Sequence, residues 1–186
     1  MAKVKLNPVM ERIHGAIGDL VFRQVGEDMV VGRKADPSQH PPTPDQQAVR
    51  EKFKLAAIYG KTVLADATKK ALYEATAKAK GIPVFALAIA DFFNAPAVDE
   101  VDLSAYTGQP EQTIRIRASD DFEVVGVAVA IRGTDGAALE QGAANRDGDG
   151  SWVYATTTAL PAGQTVSIEV TASDRPGHKG MKTQAR

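Results

Sequence analysis

The chain of 186 residues contains no cysteine and only one tryptophan. The absence of cysteine excludes disulfide bonds, cysteine-based zinc sites and a thiol nucleophile, so the fold depends on apolar cores or on contacts between copies. No apolar run approaches the roughly 20 residues that a membrane-spanning helix requires. The N-terminal segment also lacks the apolar core of a signal peptide, and we therefore expect cytoplasmic synthesis without a Sec signal.

Motifs that would identify an enzyme are also missing. The sequence has no His-Glu-x-x-His, no glycine-rich phosphate loop and no Gly-x-Ser-x-Gly elbow. Its three histidines, His14, His40 and His178, lie far apart, and each adjoins a glycine or a proline in a predicted loop. We therefore expect a protein that is not an enzyme and that carries no cofactor.

The spacing of apolar residues changes near Pro96. Before this residue apolar side chains recur at helical intervals, and after it they alternate with polar or small residues. The change predicts an α+β fold with two domains, a hairpin and helical domain at residues 1–97 and a β-sandwich domain at residues 98–186.

The first domain is predicted to begin with a β-hairpin. Two β-prone runs at residues 17–23 and 29–34 flank a turn that contains glycine and aspartate. A proline-rich connector follows at residues 35–44, where each proline restricts the backbone. An isolated hairpin is marginal in water, so this one needs a partner sheet or helices to pack on.

Three helices are predicted after the connector. Thr43-Pro44-Asp45-Gln46 contains the N-cap, the first-turn proline and the capping-box residue of a helix that runs to about Ala65. Asp66 or Thr68 caps a second helix that ends at Gly81, and Pro83 opens a third that ends before Asn94. Their apolar residues are expected to face inward in a small bundle; they include Phe53, Leu72, Tyr73, Phe85 and Phe92.

The second domain is predicted to be an antiparallel sandwich of about seven strands. Its alternating apolar residues are Ile114 and Ile116; Val125, Val127, Val129 and Ile131; Trp152 and Tyr154; and Val166, Ile168, Val170 and Ala172. Clusters of aspartate, glycine and proline separate these runs. Trp152 lies on the apolar face of an alternating strand. We therefore expect its side chain to be buried in the core rather than exposed for stacking on a carbohydrate.

Residues 98–180 resemble bacterial immunoglobulin-like or fibronectin-III-like domains. The resemblance depends on Ser119-Asp120-Asp121, Asp135-Gly136, Gly150-Ser-Trp152-x-Tyr154, Pro161-Ala-Gly163 and Val170-Thr-Ala172-x-Asp174. It covers a little under half of the chain and implies an immunoglobulin-like β-sandwich. These are packing residues, so the resemblance indicates a fold rather than a function.

The N-terminal half is similar to uncharacterised bacterial and phage-associated structural proteins. The shared residues are the run from Gly15 to Arg23 and the helix start with Pro42, Thr43, Gln46, Arg50 and Phe53. This resemblance implies a structural or assembly component, and it transfers no catalytic residue.

A calcium loop is one interpretation of Asn145, Asp147 and Asp149. Their alternating oxygen-bearing side chains and adjacent glycines match the first half of such a loop. Thr156 stands where a bidentate glutamate would complete the coordination, and an ordinary hairpin turn explains the same residues. Two interpretations are also open for Asp120, Asp121 and Asp174. They form either a cation site at one end of the sandwich or ordinary turns at the ends of strands.

The helical part carries a basic surface. Residues 1–97 contain 14 Lys and Arg against 10 Asp and Glu, whereas residues 98–186 contain 8 against 13. Binding to nucleic acid or head-to-tail contact between copies would use this asymmetry. We do not expect nucleic-acid binding, because acidic residues interrupt the basic surface and a solvated helix face explains it.

Together these patterns favour a non-catalytic structural protein that forms a homo-oligomer, a filament or a virion-type surface through strand pairing. Its final location would be a virion or an extracellular assembly. The residues expected to pair with a neighbouring copy are Val4, Leu6, Leu20, Val21 and Phe22. The alternative is a monomeric binding module whose sandwich loops recognise a carbohydrate or a protein.

Overall fold

The computed structural model describes residues 2–4, 14–25, 28–36, 41–161 and 163–186. Within them the chain forms helices and antiparallel sheets, which confirms the predicted α+β class. The chain divides into two compact units, Met1–Gln47 and Ala48–Arg186. The predicted domain boundary after residue 97 stays a prediction.

The first unit contains a four-stranded antiparallel sheet. Its strands are β1 (Ala2–Val4), β2 (Gly15–Ile17), β3 (Leu20–Val25) and β4 (Asp28–Arg33), in the order β1-β4-β3-β2. β3 and β4 form the predicted hairpin, in a register that runs from Val25 opposite Asp28 to Leu20 opposite Arg33. The run at residues 17–23 was predicted as one strand, but it is divided by a turn at residues 18–19 between β2 and β3.

Three helices follow at α1 (Pro44–Ala65), α2 (Ala67–Lys80) and α3 (Val84–Phe93). The capping box at the start of α1 is confirmed, because Gln46 N–H donates to Thr43 Oγ1 at 3.3 Å and Thr43 N–H donates to Gln46 Oε1 at 3.2 Å. These reciprocal bonds satisfy backbone donors that the first turn of a helix leaves free.

Local signals also set the bounds of α2. Asp66 caps its N-terminus by accepting from the N–H groups of Thr68 and Lys69 at 2.9 and 3.1 Å. Gly81 ends it with a left-handed φ of 66°, a conformation in which glycine is not strained. α2 therefore begins and ends where the sequence predicts.

The remaining strands form two four-stranded antiparallel sheets with the orders β5-β6-β10-β9 and β12-β11-β7-β8. They are β5 (Ala97–Asp102), β6 (Thr113–Ser119), β7 (Val124–Arg132), β8 (Ala138–Ala143), β9 (Asn145–Arg146), β10 (Trp152–Ala155), β11 (Ser167–Asp174) and β12 (Lys179–Ala185). The described strands number eight rather than about seven, because the two-residue strand β9 is too short to give an alternating signal.

The two sheets share one apolar core, as the layers of a β-sandwich do. Ile114 and Ile116 from one sheet and Ile131, Ile168 and Val170 from the other are completely buried. Trp152 is 7% exposed and belongs to this core, as its alternating position predicts. The alternation of the strands therefore located this core with one error: Val125 was expected inside but is 45% exposed, and Val124 is buried in its place. The register shift between Ser173 and Asp174 pairs Asp174 with Val124 and breaks the alternation at this point.

In the second unit, the helices pack against part of the sandwich. Val63, Tyr73 and Leu87 form a small buried cluster with Phe122, which lies between β6 and β7. The rings of Phe122 and Tyr73 stack with centroids 3.9 Å apart. No helix in the described part of the chain is both long and apolar enough to cross a membrane.

The interior of the helical part is smaller than the sequence predicts. Phe53 and Leu72 were expected to face inward, yet they are 52% and 44% exposed. The buried positions of α1 are Ala56, Gly60 and Val63. The inward position was therefore predicted wrongly for Phe53 and Leu72 but correctly for Tyr73, which is 1% exposed.

Candidate functional site

Three aspartates from distant parts of the second unit meet where the helices pack on the sandwich. Asp91 lies on α3, Asp120 follows β6 and Asp174 ends β11. One carboxylate oxygen from each lies within 4.8 Å of one from each of the others. We call these three residues the carboxylate cluster.

The helix places Asp91 inside the protein. α3 buries Leu87, Ala88 and Asp91, which lie on one face at helical spacing. Asp91 is completely buried, and Asp174 is 3% exposed at a β-bulge that shifts the register between Ser173 and Asp174. Asp120 is half-buried.

Asp91 accepts one hydrogen bond, from Tyr73, whose hydroxyl also contacts that of Tyr59. Tyr73 donates its hydroxyl to Asp91 Oδ2 at 2.5 Å, and the hydroxyls of Tyr73 and Tyr59 are 2.8 Å apart. The two tyrosines come from α2 and α1, so this chain of hydroxyl groups links all three helices to the carboxylate cluster.

Backbone N–H groups hold the other two carboxylates. Asp120 Oδ2 accepts from Phe122 and Glu123 at 3.2 and 3.1 Å. Asp174 Oδ1 accepts from Gly177 and His178 at 2.7 and 2.6 Å, and His178 Nδ1 lies 3.1 Å from Asp174 Oδ2. These bonds fix the two carboxylates in turns at the end of the sandwich.

Two oxygens of the carboxylate cluster have no donor. Asp91 Oδ1 and Asp120 Oδ1 are buried, and neither has a hydrogen-bond partner among the described residues. Buried polar atoms in proteins almost always have a partner, so an unpartnered pair in one cluster requires an explanation.

The electrostatics of the cluster disfavour three full negative charges. The pKa of Asp91 is raised to about 7, mainly by burial. The hydrogen bond from Tyr73 opposes this rise, whereas the side-chain contact with Asp120 and the charges of Asp120 and Asp174 add to it. Burial and the hydrogen bond to Asp91 also raise the pKa of Tyr73 far above its ordinary value. A proton or a metal cation at the cluster would relieve this repulsion.

A second buried carboxylate, Glu140 on β8, has a complete set of donors. Glu140 Oε1 accepts from the Tyr154 hydroxyl at 2.8 Å and from the Thr157 N–H and hydroxyl at 2.7 and 3.1 Å. Glu140 Oε2 accepts from the Thr158 N–H at 2.9 Å. Burial acts to raise the pKa of Glu140, but these hydrogen bonds outweigh it and hold the pKa below its ordinary value.

The predicted calcium residues lie in the hairpin that joins β9 to β10. Asn145 belongs to β9, opposite Val153. Arg115 Nη1 lies 3.4 Å from Asp147 Oδ2 and 2.9 Å from Asp149 Oδ2. The two carboxylates therefore share a positively charged partner, and calcium binding here stays a prediction.

The structure also locates the residues that were expected to pair with another copy. Val4 lies in β1, at one end of the strand order, and Leu6 lies outside the described residues. Leu20, Val21 and Phe22 lie within β3, which is paired with β2 on one side and β4 on the other. Strand pairing with a neighbour stays a prediction for all five.

The basic surface of the helices is partly neutralised. Three of its lysines form exposed ion pairs within their own helices or caps: Lys54 with Glu51, Lys69 with Asp66 and Lys70 with Glu74, at 2.6, 3.8 and 3.6 Å. These acids lower the density of positive charge that a phosphate backbone would meet.

Sequence reasoning missed one member of the carboxylate cluster. Asp120 and Asp174 were singled out as residues at the end of the sandwich, but their expected companion was Asp121, whose Oδ2 accepts from Asn94 Nδ2 at 2.5 Å. Asp91 belongs to no motif. Its one signal is that it is the single charged residue in α3, otherwise an apolar helix.

No protein-family model matches the chain, and a search of curated proteins finds no match. Six solved chains are similar in structure. CopC from Methylosinus trichosporium OB3b is 15% identical over 48% of this chain and 89% of its own, with a TM-score of 0.38. A tetra-tandem repeat in the extending region of a large adhesion protein is 19% identical over 49% of this chain and 22% of its own, with a TM-score of 0.33.

A conjugative transposon lipoprotein from Bacteroides eggerthii DSM 20697 is also similar. It is 12% identical over 48% of this chain and 92% of its own, with a TM-score of 0.28. Similarity at this level does not define a function. The two antiparallel sheets with a shared core are a β-sandwich arrangement, and the immunoglobulin-like or fibronectin-III-like relationship stays a prediction.

Proposed function

We propose that the protein is a non-catalytic assembly subunit that associates with further copies of itself through its N-terminal sheet. The observation that carries the proposal is one apolar face of that sheet. Residues directly opposite each other in paired strands share a face, and so do alternate residues along a strand. By this register the face contains Ile17, Leu20, Phe22, Met29 and Val31.

This apolar face is only partly covered in the described part of the chain, where Phe22 and Val31 are half-buried. Ile17 is 63% exposed and Leu20 is 44% exposed, whereas Met29 is the one buried side chain among those described in this unit. The polar residues Gln24 and Arg33 lie on the same face at its ends. An exposed apolar patch with a polar rim is typical of a protein contact surface.

Burial of this face against a second copy would complete a core that the sheet lacks alone. Each large apolar side chain removed from water contributes about 1.5–3 kcal/mol. Strand pairing can add to this contact through β1, because β1 is at an end of the strand order and its residue Val4 was predicted to pair. Repetition of such contacts would give the predicted oligomer, filament or virion-type surface.

The mass of the full-length protein tests the proposal. Light scattering over a concentration series should give masses above the 19.7 kDa of one chain, and negative-stain images of the heaviest fraction should show regular particles or fibres. Ile17→Lys and Leu20→Lys should lower the mass, because each places a charge on the contact face.

Met181→Lys is the matched control for Ile17→Lys. Met181 is 62% exposed, almost the same as Ile17, but lies on β12 in the other unit. The control should assemble as the natural sequence does. A protein that stays at 19.7 kDa at every concentration, or variants that all assemble equally, would contradict the proposal.

The alternative function, a monomeric binding module, is favoured by one specific observation. An open groove of about 430 Å³ crosses β7, β8 and β11, where small side chains such as those of Ala128 and Ala130 leave space beside Arg132 and Glu169. Its size is within the range of small-ligand sites. A monomer in the light-scattering experiment would direct attention to a carbohydrate or peptide bound in this groove.

A further inference from the structure

The carboxylate cluster has the geometry of a site for a hard cation. Its ligand atoms are all oxygens, and one from each of Asp91, Asp120 and Asp174 lies within 4.8 Å of the others. Ca²⁺ binds oxygen at about 2.3–2.6 Å, so oxygens around one ion are separated by up to about twice that distance. The three carboxylates are thus close enough to share one ion.

The unpartnered oxygens indicate where a ligand is required. Asp91 is completely buried, yet its Oδ1 has no donor among the described residues. The Oδ1 atom of Asp120 is also buried and also has no donor there. A buried carboxylate oxygen without a partner is costly. One cation coordinated by both oxygens would satisfy them together.

Neither Arg175 nor Lys80 donates to the carboxylate cluster. Arg175 donates to Glu123 Oε2 from Nε at 2.9 Å and from Nη2 at 2.7 Å. Lys80 donates to the Asp121 carbonyl at 2.5 Å. His178 Nδ1 contacts the cluster at 3.1 Å from Asp174 Oδ2, and neither unpartnered oxygen accepts a hydrogen bond from it.

From these observations we infer that the carboxylate cluster binds a divalent cation with a preference for oxygen, and that the ion is Ca²⁺. Mg²⁺ fits less well, because it retains several waters and requires near-octahedral geometry, whereas two of these ligands are almost completely buried. The Tyr73 hydroxyl orients Asp91 from the side opposite its free oxygen.

The ion would join the helices to the sandwich. Asp91 belongs to α3, whereas Asp120 and Asp174 belong to the sandwich. Binding in the folded state alone stabilises that state by mass action. Ca²⁺ is therefore expected to stabilise the second unit, independently of whether the N-terminal sheet assembles.

Thermal unfolding of the full-length protein tests this inference. Protein stripped with EDTA is measured at pH 7.5 in the chelator and then in CaCl₂ of increasing concentration. At free Ca²⁺ about 100-fold above its Kd, the Tm should rise by about 5–10 °C. Tb³⁺ should also emit when the tyrosines are excited, since Tyr73 donates to Asp91, and Ca²⁺ should displace it.

Two variants assign the response to the cluster. Asp91→Asn and Asp120→Asn should lose the Ca²⁺-dependent rise in Tm and the Tb³⁺ emission. Asp147→Asn is the matched control, because it removes an exposed carboxylate of the predicted calcium loop and should respond as the natural sequence does.

Three results would overturn the inference. An unchanged Tm and no Tb³⁺ emission in the natural sequence would show that the carboxylate cluster binds no such cation. A response lost in Asp147→Asn but kept in Asp91→Asn would place the ion in the hairpin between β9 and β10. A larger rise with Mg²⁺ than with Ca²⁺ would refute the choice of ion.

Discussion

Glu140 and Asp91 are both buried carboxylates of the second unit, but the protein surrounds them differently. Glu140 accepts four hydrogen bonds, from Tyr154, Thr157 and Thr158. Asp91 accepts one, from Tyr73, and its other oxygen has no donor among the described residues. Asp91 also faces two further carboxylates.

The pKa values of the two groups move in opposite directions. Donors hold the pKa of Glu140 below its ordinary value despite its burial, whereas burial and neighbouring charge raise the pKa of Asp91 to about 7. Burial is common to both, so the supply of donors and the charge of the neighbouring side chains decide whether the ionised form is favoured. Both carboxylate oxygens of Glu140 thus have donors, whereas Oδ1 of Asp91 has none among the described residues.

The largest predicted effect is that of Glu140→Gln. The amide group replaces an acceptor with a donor beside the N–H groups of Thr157 and Thr158. We expect a loss of about 3 kcal/mol in the free energy of unfolding at pH 7, because at least one buried donor loses its partner. Urea denaturation of the full-length protein measures it.

The loss should depend on pH in a defined direction. Because folding lowers the pKa of Glu140, its contribution is fully present above the unfolded pKa and disappears as the pH falls through the folded pKa. The difference between Glu140→Gln and the natural sequence should therefore shrink as the pH is lowered below about 4. A difference that is constant with pH would show that packing, not charge, is responsible.

Tyr154→Phe should have a smaller effect on the same site. It removes one of the four donors to Glu140, and we expect a loss of about 1.5 kcal/mol. Tyr106→Phe is the matched control, since Tyr106 is also buried in the sandwich core but its hydroxyl has no partner among the described residues. Equal losses in the two variants would show that the hydrogen bond to Glu140 contributes nothing to stability.

Local patterns in the sequence predicted much of the fold. The hairpin of β3 and β4, the capping box at Thr43, the cap at Asp66 and the alternating core strands depend on residues close in sequence. Such features are set by short-range geometry, which a single sequence displays. The inward positions of Phe53 and Leu72 were predicted wrongly, because a helical period does not reveal what covers each face.

The carboxylate cluster was only partly predictable. Asp120 and Asp174 stand at the ends of strands, a position that drew notice in the sequence, but Asp91 lies inside a helix far away in the chain. Only the packing of α3 on the sandwich brings its carboxylate to the other two. The backbone donors to Glu140 were not predictable either, because Thr157 and Thr158 lie in the irregular segment that follows β10.

The smallest predicted effect, and the one with the opposite sign, is that of Asp91→Asn in EDTA. It makes the same carboxyl-to-amide change as Glu140→Gln. The new amide still accepts from Tyr73, and its NH₂ group can donate to the unpartnered Asp120 Oδ1 while one negative charge is removed. We expect a gain of up to about 1 kcal/mol in the free energy of unfolding, measured by urea denaturation at pH 7.5. A loss as large as that in Glu140→Gln would mean that the charge of Asp91 is already compensated, and the distinction between the two carboxylates would fail.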